Sequence, residues 1–199
     1  GFVGQSASGR VYAGWDGNLK RQVAIKIPTP EVARDEEYMG RFEREAMTMA
    51  RFQHENIVSI YDYCVARNIL EVNFIAMEFV TGDVITSFVE QHESDLTVRD
   101  VVELIRQISA GIDAAHAEGV VHLDLRPANI RITKARKIPK VLEFGVAKWE
   151  GPKDEDGDGE TAAFERVPFD PPYAAPEQWR RAFSNPEKLK ESPIDLGPA

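Results

Sequence analysis

An α+β fold is predicted by three features of this 199-residue sequence. Its first third strings together short β-branched and aromatic runs punctuated by Gly and Pro. One amphipathic helical pattern interrupts those runs. Beyond Thr81-Gly82-Asp83 the spacing of apolar residues changes and helical periodicity dominates.

Taking the elements in order, Arg10–Tyr12 and Gln22–Ile27 are expected strands, and Asp16-Gly17-Asn18 between them is a hairpin signal. Pro28 and Pro30 close the second strand. Asp35–Phe52 carries Met39, Phe42, Ala46 and Met49 at helical spacing. Asn56–Tyr63 and Val72–Val80 are rich in Ile, Val, Phe and Tyr and are expected strands. Thr97 to Asp100 is a capping box. It opens a long helix with Val101, Leu104, Ile105, Ile108, Ile112 and Ala115 on one face, stopped at Gly119. Ile130–Thr133 and Pro139–Phe144 follow as short strands, and a loop rich in Gly, Asp and Pro covers about Trp149–Pro172.

Composition narrows the function. Hydrophobic residues make up 43% and charged residues 29%, enough apolar content for one domain or two small lobes. The net charge of −9 argues against a nucleic-acid partner, which calls for a basic face. Glu150–Glu160 alone, with six acids and one Lys, holds a net −5 of that charge. The single Cys64 rules out an internal disulfide and fits a reducing compartment. No membrane-spanning apolar run and no signal peptide are visible, so a cytoplasmic setting is expected. The sequence begins at Gly1 inside an apparent motif and ends at Ala199 without a stop signal, and we expect it to be part of a longer protein.

Three stretches carry chemistry. In "GQSASGRVY", Gly4, Ser6 and Gly9 keep the spacing of a glycine-rich loop, where small residues let backbone N–H groups approach phosphates; Gly/Ser-rich hairpin turns share that composition. In "VAIK", Lys26 sits inside an apolar strand, either on a solvent-facing edge or held by a carboxylate to bind phosphate. In "VVHLDLRPANIRI", Asp124 precedes Asn129 by five residues, which could bring a proton acceptor and a metal ligand to one loop.

These motifs, in this order and followed by "EFG" and "APE", resemble the protein kinase domain, most closely the bacterial-type serine/threonine kinases. The resemblance spans essentially the whole chain. It implies a two-lobed fold, with a β-rich N-lobe at residues 1–80 and a partial, mainly helical C-lobe at 81–199. It implies ATP and Mg²⁺ as cofactors and a protein as substrate or regulated partner. Residue by residue, Gly4, Ser6 and Gly9 would cover the phosphates, and Val11, Ala24 and Met77 would line the nucleotide pocket. Lys26 would contact the α- and β-phosphates and pair with Glu45. Glu78–Val80 would form the hinge whose backbone meets adenine. Asp124 matches the catalytic acid, Arg126 the phosphate-binding cation, and Asn129 with Glu143 the metal ligands.

Four positions depart from the family pattern. Leu123 replaces the Arg before the catalytic Asp, Arg126 replaces a Lys, Asp170 stands where a Thr is expected, and Glu143 replaces the Asp of "DFG". Between Gly145 and Tyr173 the only hydroxyl is Thr161, so gating by loop phosphorylation is not expected. The implied function is a protein kinase transferring the ATP γ-phosphate to Ser or Thr. The alternative is a pseudokinase that binds nucleotide or scaffolds a partner. Separately, Asp154–Glu165 fits the EF-hand calcium loop pattern, with Asp154, Asp156, Asp158 and Glu165 as ligands; a solvated acidic loop explains the same residues. The family's larger lobe continues past Glu177 with helices that these residues lack, so this stretch alone is expected to be marginally stable and poorly active.

Overall fold

The computed structural model describes residues 1–5, 9–50, 53–67, 71–144, 148–149, 171–176 and 178. A five-stranded antiparallel sheet in the order β1-β2-β3-β5-β4 occupies the first part of the chain, from β1 (Phe2–Gln5), β2 (Gly9–Asp16), β3 (Arg21–Pro28), β4 (Ile60–Arg67) and β5 (Glu71–Glu78). The β2–β3 turn is tightened by Asp16, whose carboxylate accepts the N–H groups of Asn18 and Leu19, both at 3.0 Å. β1 was not expected from sequence, because its four residues carry no alternation and three of them are exposed.

A short helix α1 (Pro30–Ala33) leads to α2 (Glu36–Met49). Asp35 caps α2, its carboxylate accepting the Tyr38 N–H at 3.0 Å. The predicted apolar stripe packs as expected. Phe42 and Ala46 are buried against Ile75 of β5, and Met49 joins a second cluster farther along.

The segment expected as a strand from Asn56 divides in two. Asn56–Ser59 is irregular, and β4 starts only at Ile60. The backbone groups of 56–58 are used elsewhere: Val141 N–H donates to the Asn56 carbonyl at 2.8 Å, and Val58 N–H donates to the Val141 carbonyl at 2.9 Å. Asn56 is buried and donates its side-chain amide to the Pro139 carbonyl at 2.9 Å.

After Val80 the chain enters a second architecture. β6 (Gly82–Val84) and α3 (Ile85–Gln91) come first; sequence periodicity does not separate either from its flanks. A side chain at Gly82 would overlap the Ile132 carbonyl oxygen, so close backbone approach demands glycine there. α4 (Val98–Ala117) has the predicted capping box, with Thr97 and Asp100 bonded reciprocally, and Gly119 follows its end at φ 73°. Leu104, Ile108, Ile112 and Ala115 face inward as expected. Val101 and Ile105 do not; they are 41% and 57% exposed, and with Val98 and Val102 they form an uncovered stripe. The inward face, marked by buried Leu104, Gly111 and Ala115, is narrower than the sequence spacing suggests.

β8 (Ile130–Thr133) lies between β6 and β9 (Pro139–Val141), and a two-residue ribbon pairs β7 (Val120–Val121) with β10 (Lys148–Trp149). β9 stops three residues short of the expected Phe144, because Glu143 adopts φ 52°, which no strand accommodates. Met49, Ile57, Ala115, Val120, Val141 and Phe144 form one buried cluster that ties α2, α4 and β9 together.

Asn56→Ala should destabilise the fold by about 1–3 kcal/mol, since it strands the buried Pro139 carbonyl without a donor. Urea unfolding measures this. Ile105→Thr on the exposed stripe should change stability by less than about 0.5 kcal/mol in the same assay.

Candidate active site

A cleft of ≈ 260 Å³ lies between the five-stranded sheet and the β6–β8–β9 sheet. That is near the lower end of the about 300–1,000 Å³ typical of small-molecule sites. Val11, Ala24 and Met77 line it from the first sheet, and Leu142 from the second part of the chain. Antiparallel register sets this wall: Ala24 pairs with Met77, and Lys26 with both Val11 and Ile75.

The polar end of the cleft is built around Lys26. The residue is only 4% exposed, and a buried ammonium needs a partner. Among the described residues that partner is Glu143, with Lys26 Nζ 3.9 Å from Glu143 Oε2. The solvent-facing alternative for Lys26 is therefore excluded. Glu45 stands on α2, and its side chain lies outside the described residues.

Asp124 and Asn129 meet as the spacing suggested. The turn Arg126-Pro127-Ala128-Asn129 closes with an Asn129 N–H to Arg126 carbonyl bond at 2.9 Å. Asn129, 4% exposed, donates its amide to the Asp124 carbonyl at 2.8 Å and to Asp124 Oδ2 at 3.0 Å. Both bonds use Nδ2, which leaves Oδ1 of this cleft-lining residue without a hydrogen bond among the described residues. Arg126 Nε lies 3.3 Å from Asp124 Oδ2. Among the described residues no three His, Cys, Asp or Glu side chains cluster as a metal site. A divalent cation would need Glu143, Asn129 Oδ1 and ligand oxygens together, which is how Mg²⁺ is commonly held with phosphates.

His122 joins the two loops that carry these groups. Asp124 N–H donates to its Nδ1 at 3.2 Å, so the ring proton sits on Nε2, which donates to the Leu142 carbonyl at 2.9 Å. The ring also packs on Phe144, with centroids 4.5 Å apart. Burial pushes the His122 pKa below its ordinary value of 6.5 and keeps it neutral. The residues after the two ends of this bridge, Leu123 and Glu143, have φ of 61° and 52°. Left-handed backbone at such residues costs of order 1–3 kcal/mol and clusters at functional sites. Sequence reasoning missed this bridge, although His122 stands two residues before Asp124. It also missed Gln178, which accepts the Ala175 N–H at 2.8 Å and donates to the Leu123 carbonyl at 2.8 Å.

At the other end, Val80 is 9% exposed, and its backbone N–H and carbonyl make no hydrogen bond among the described residues. Glu78 lines the cleft beside it and binds Lys140 Nζ through Oε2 at 2.7 Å, linking β5 to β9. Gly4 lines the cleft, and a Cβ there would meet nothing within 4 Å. Gly9 has a different reason to be glycine: a Cβ would sit 2.5 Å from the Ile27 carbonyl oxygen. Ser6, Asp170 and the acidic loop Asp154–Glu165 proposed for calcium lie outside the described residues.

Comparison with known proteins is decisive on the family. The family model described as Protein kinase domain matches residues 1–190. The chain belongs to the protein kinase domain family. A probable serine/threonine-protein kinase of Clostridium acetobutylicum is 36% identical over 146 residues, covering 73% of this chain and 22% of that protein. The serine/threonine-protein kinase pkn3 of Myxococcus xanthus is 33% identical over 182 residues, 90% of this chain and 32% of its own length. PknA of Mycobacterium tuberculosis is 32% identical over 149 residues, 74% of this chain and 34% of its own. The kinase domain described here therefore spans about a fifth to a third of these relatives. Its fold is α+β and partial, with the β-rich sheet first. Among the described residues no helix is long and apolar enough to cross a membrane.

Because folded His122 binds its proton more weakly than the unfolded chain does, its contribution to stability is complete above pH 6.5 and shrinks as pH falls below that. Melting temperature measured from pH 7.5 down to 5.5 should fall, and His122→Asn should flatten that part of the curve.

Proposed function

We propose that this domain binds Mg-ATP in the cleft and transfers the γ-phosphate to a Ser or Thr hydroxyl of a protein substrate. One observation carries the reading: buried Lys26 and Asn129 line, with Glu143, a slot that also offers the unbonded backbone of Val80 and the apolar side chains of Val11, Ala24 and Met77, and Asn129 holds Asp124 beside it. That combination matches a nucleotide, with an apolar base and a charged tail. Residues 1–80 act as the covering lobe and 81–199 as the catalytic lobe.

Phosphoryl transfer asks the protein to position reactants and neutralise charge. Val80 would take the edge of adenine, with Val11, Ala24 and Met77 packing on the base and Gly4 letting the β1–β2 backbone cover the phosphates. Ser6 and Gly9 complete that loop. Lys26 would hold the α- and β-phosphates, with Glu45 the family's partner for it. Glu143 and Asn129 Oδ1 would hold Mg²⁺, which when bound neutralises charge on the phosphate oxygens. Asp124 accepts the substrate hydroxyl proton late in the transfer, and Asn129 and Arg126 orient its carboxylate until substrate arrives.

Glu143 is one methylene longer than the family's Asp. The added reach lets it meet Lys26 across the cleft, and it shifts the carboxylate by roughly a bond length, an error of the size that costs ~100-fold in rate. Catalysis is therefore slow but present.

Three variants test this with ATP titrations, with and without Mg²⁺, and a phosphoryl-transfer assay. Wild type should bind ATP more tightly with Mg²⁺. Asp124→Asn should keep binding and lose roughly 100-fold or more in transfer. Glu143→Asp should speed transfer, while Glu143→Gln should erase the Mg²⁺ effect on binding. Metal-independent binding with no turnover would instead identify a pseudokinase.

A further inference from the structure

The peptide group between Leu123 and Asp124 is held at both ends. Its N–H, which belongs to Asp124, donates to His122 Nδ1 at 3.2 Å. Its carbonyl, which belongs to Leu123, accepts from Gln178 Nε2 at 2.8 Å. A trans peptide points these two groups in opposite directions, so His122 and Gln178 grip one rigid plane from two sides. The plane ends at the Cα of Asp124. On the far side of that Cα, the Asp124 carbonyl accepts from Asn129 Nδ2 at 2.8 Å. The direction in which the Asp124 side chain leaves the backbone is therefore set from both sides.

Gln178 reaches this peptide from 55 residues away in the sequence. A smaller role accounts for half of its bonding. Gln178 stands three residues after Ala175 and accepts the Ala175 N–H at 2.8 Å, while its own N–H donates to the Ala175 carbonyl at 2.9 Å. That is the back-reaching half of a capping box, with Pro176 at the first helical position. A cap uses only Oε1, and a Glu would serve it equally. The bond to Leu123 uses Nε2, a donor that capping does not need and that a carboxylate lacks. The amide orientation follows from its two partners. Exchanging O and N would set oxygen against the Leu123 carbonyl and N–H against the Ala175 N–H.

We propose that Gln178 is a positioning residue for phosphoryl transfer: through the Leu123 carbonyl it fixes the peptide that aims the Asp124 carboxylate. The inference rests on the proposed transfer reaction and gives Gln178 a part in it. Gln178 is not among the residues that line the cleft, so its effect falls on the rate of transfer and not on nucleotide binding.

The test compares Gln178→Glu and Gln178→Leu with wild type, as the full chain, by ATP titration and by steady-state transfer to dephosphorylated casein. Gln178→Glu keeps the cap and loses the donor; Gln178→Leu loses both. Each should lower kcat by roughly 10- to 100-fold, the size of effect that misplacing a reacting group produces, with ATP affinity unchanged. In an Asp124→Asn background the same substitutions should cost nothing more, because the carboxylate they aim is already gone. A wild-type rate in Gln178→Glu would overturn the inference and leave transfer intact. A further loss in the Asp124→Asn background would overturn it too, by revealing a structural role that does not pass through Asp124. So would an ATP affinity that falls in step with the rate. No transfer by wild type would overturn the transfer reading and this inference with it. Should Gln178→Leu not fold, the isosteric Gln178→Glu decides alone.

Discussion

The site depends on the way β9 is hydrogen-bonded on both edges. One edge pairs with β8 in the ordinary manner. The other meets the irregular segment 56–58, through Val141 N–H to Asn56, Val58 N–H to Val141 and the Asn56 amide to Pro139. Lys140, between those contacts, reaches Glu78 at the end of β5. β9 is thus anchored to the first sheet as well as the second. Glu143, two residues past the fully buried Val141, then has no choice but to meet Lys26 across the cleft. Without that anchor Lys26 and Glu143 would sit on separate parts of the chain.

Among the described residues, the buried polar side chains are accounted for by this arrangement. Lys26, Asn56, His122 and Asn129 are each at most 5% exposed, and each has a partner in the junction or the loops beside it. An unpaired buried polar group costs about 1–3 kcal/mol. The neutral His122 bridge holds two neighbouring residues in left-handed backbone, at Leu123 and Glu143. Strain of this kind persists only where the surroundings over-determine it. Here the packing of His122 on Phe144 and the Gln178 bond to the Leu123 carbonyl supply that constraint. Leu123 thus contributes through its backbone, whatever its side chain has replaced.

Local patterns were legible where local physics decides. The capping box at Thr97 and Asp100, the stripe Phe42-Ala46-Met49 and the turn at Asp16 each follow from a few neighbouring residues, and each stands as expected. The meeting of Asp124 with Asn129 was legible for the same reason, since one tight turn spans both. Asn56–Ser59 misled because its β-branched residues pair with a strand more than eighty positions away, which no window reveals. Val101 and Ile105 misled because helical spacing gives a face and not its width. The ion pairs Lys26–Glu143 and Glu78–Lys140 join residues 117 and 62 positions apart, and only the register of the sheets creates them.

Hydrogen–deuterium exchange of the chain with and without Mg-ATP tests the central claim most directly, that one cleft joined by β9 holds the nucleotide against both sheets. The account predicts protection at Val23–Lys26, Glu78–Val80 and Val141–Phe144 together, at the same nucleotide concentration. Protection confined to one of these segments, or none at saturating Mg-ATP, would contradict it.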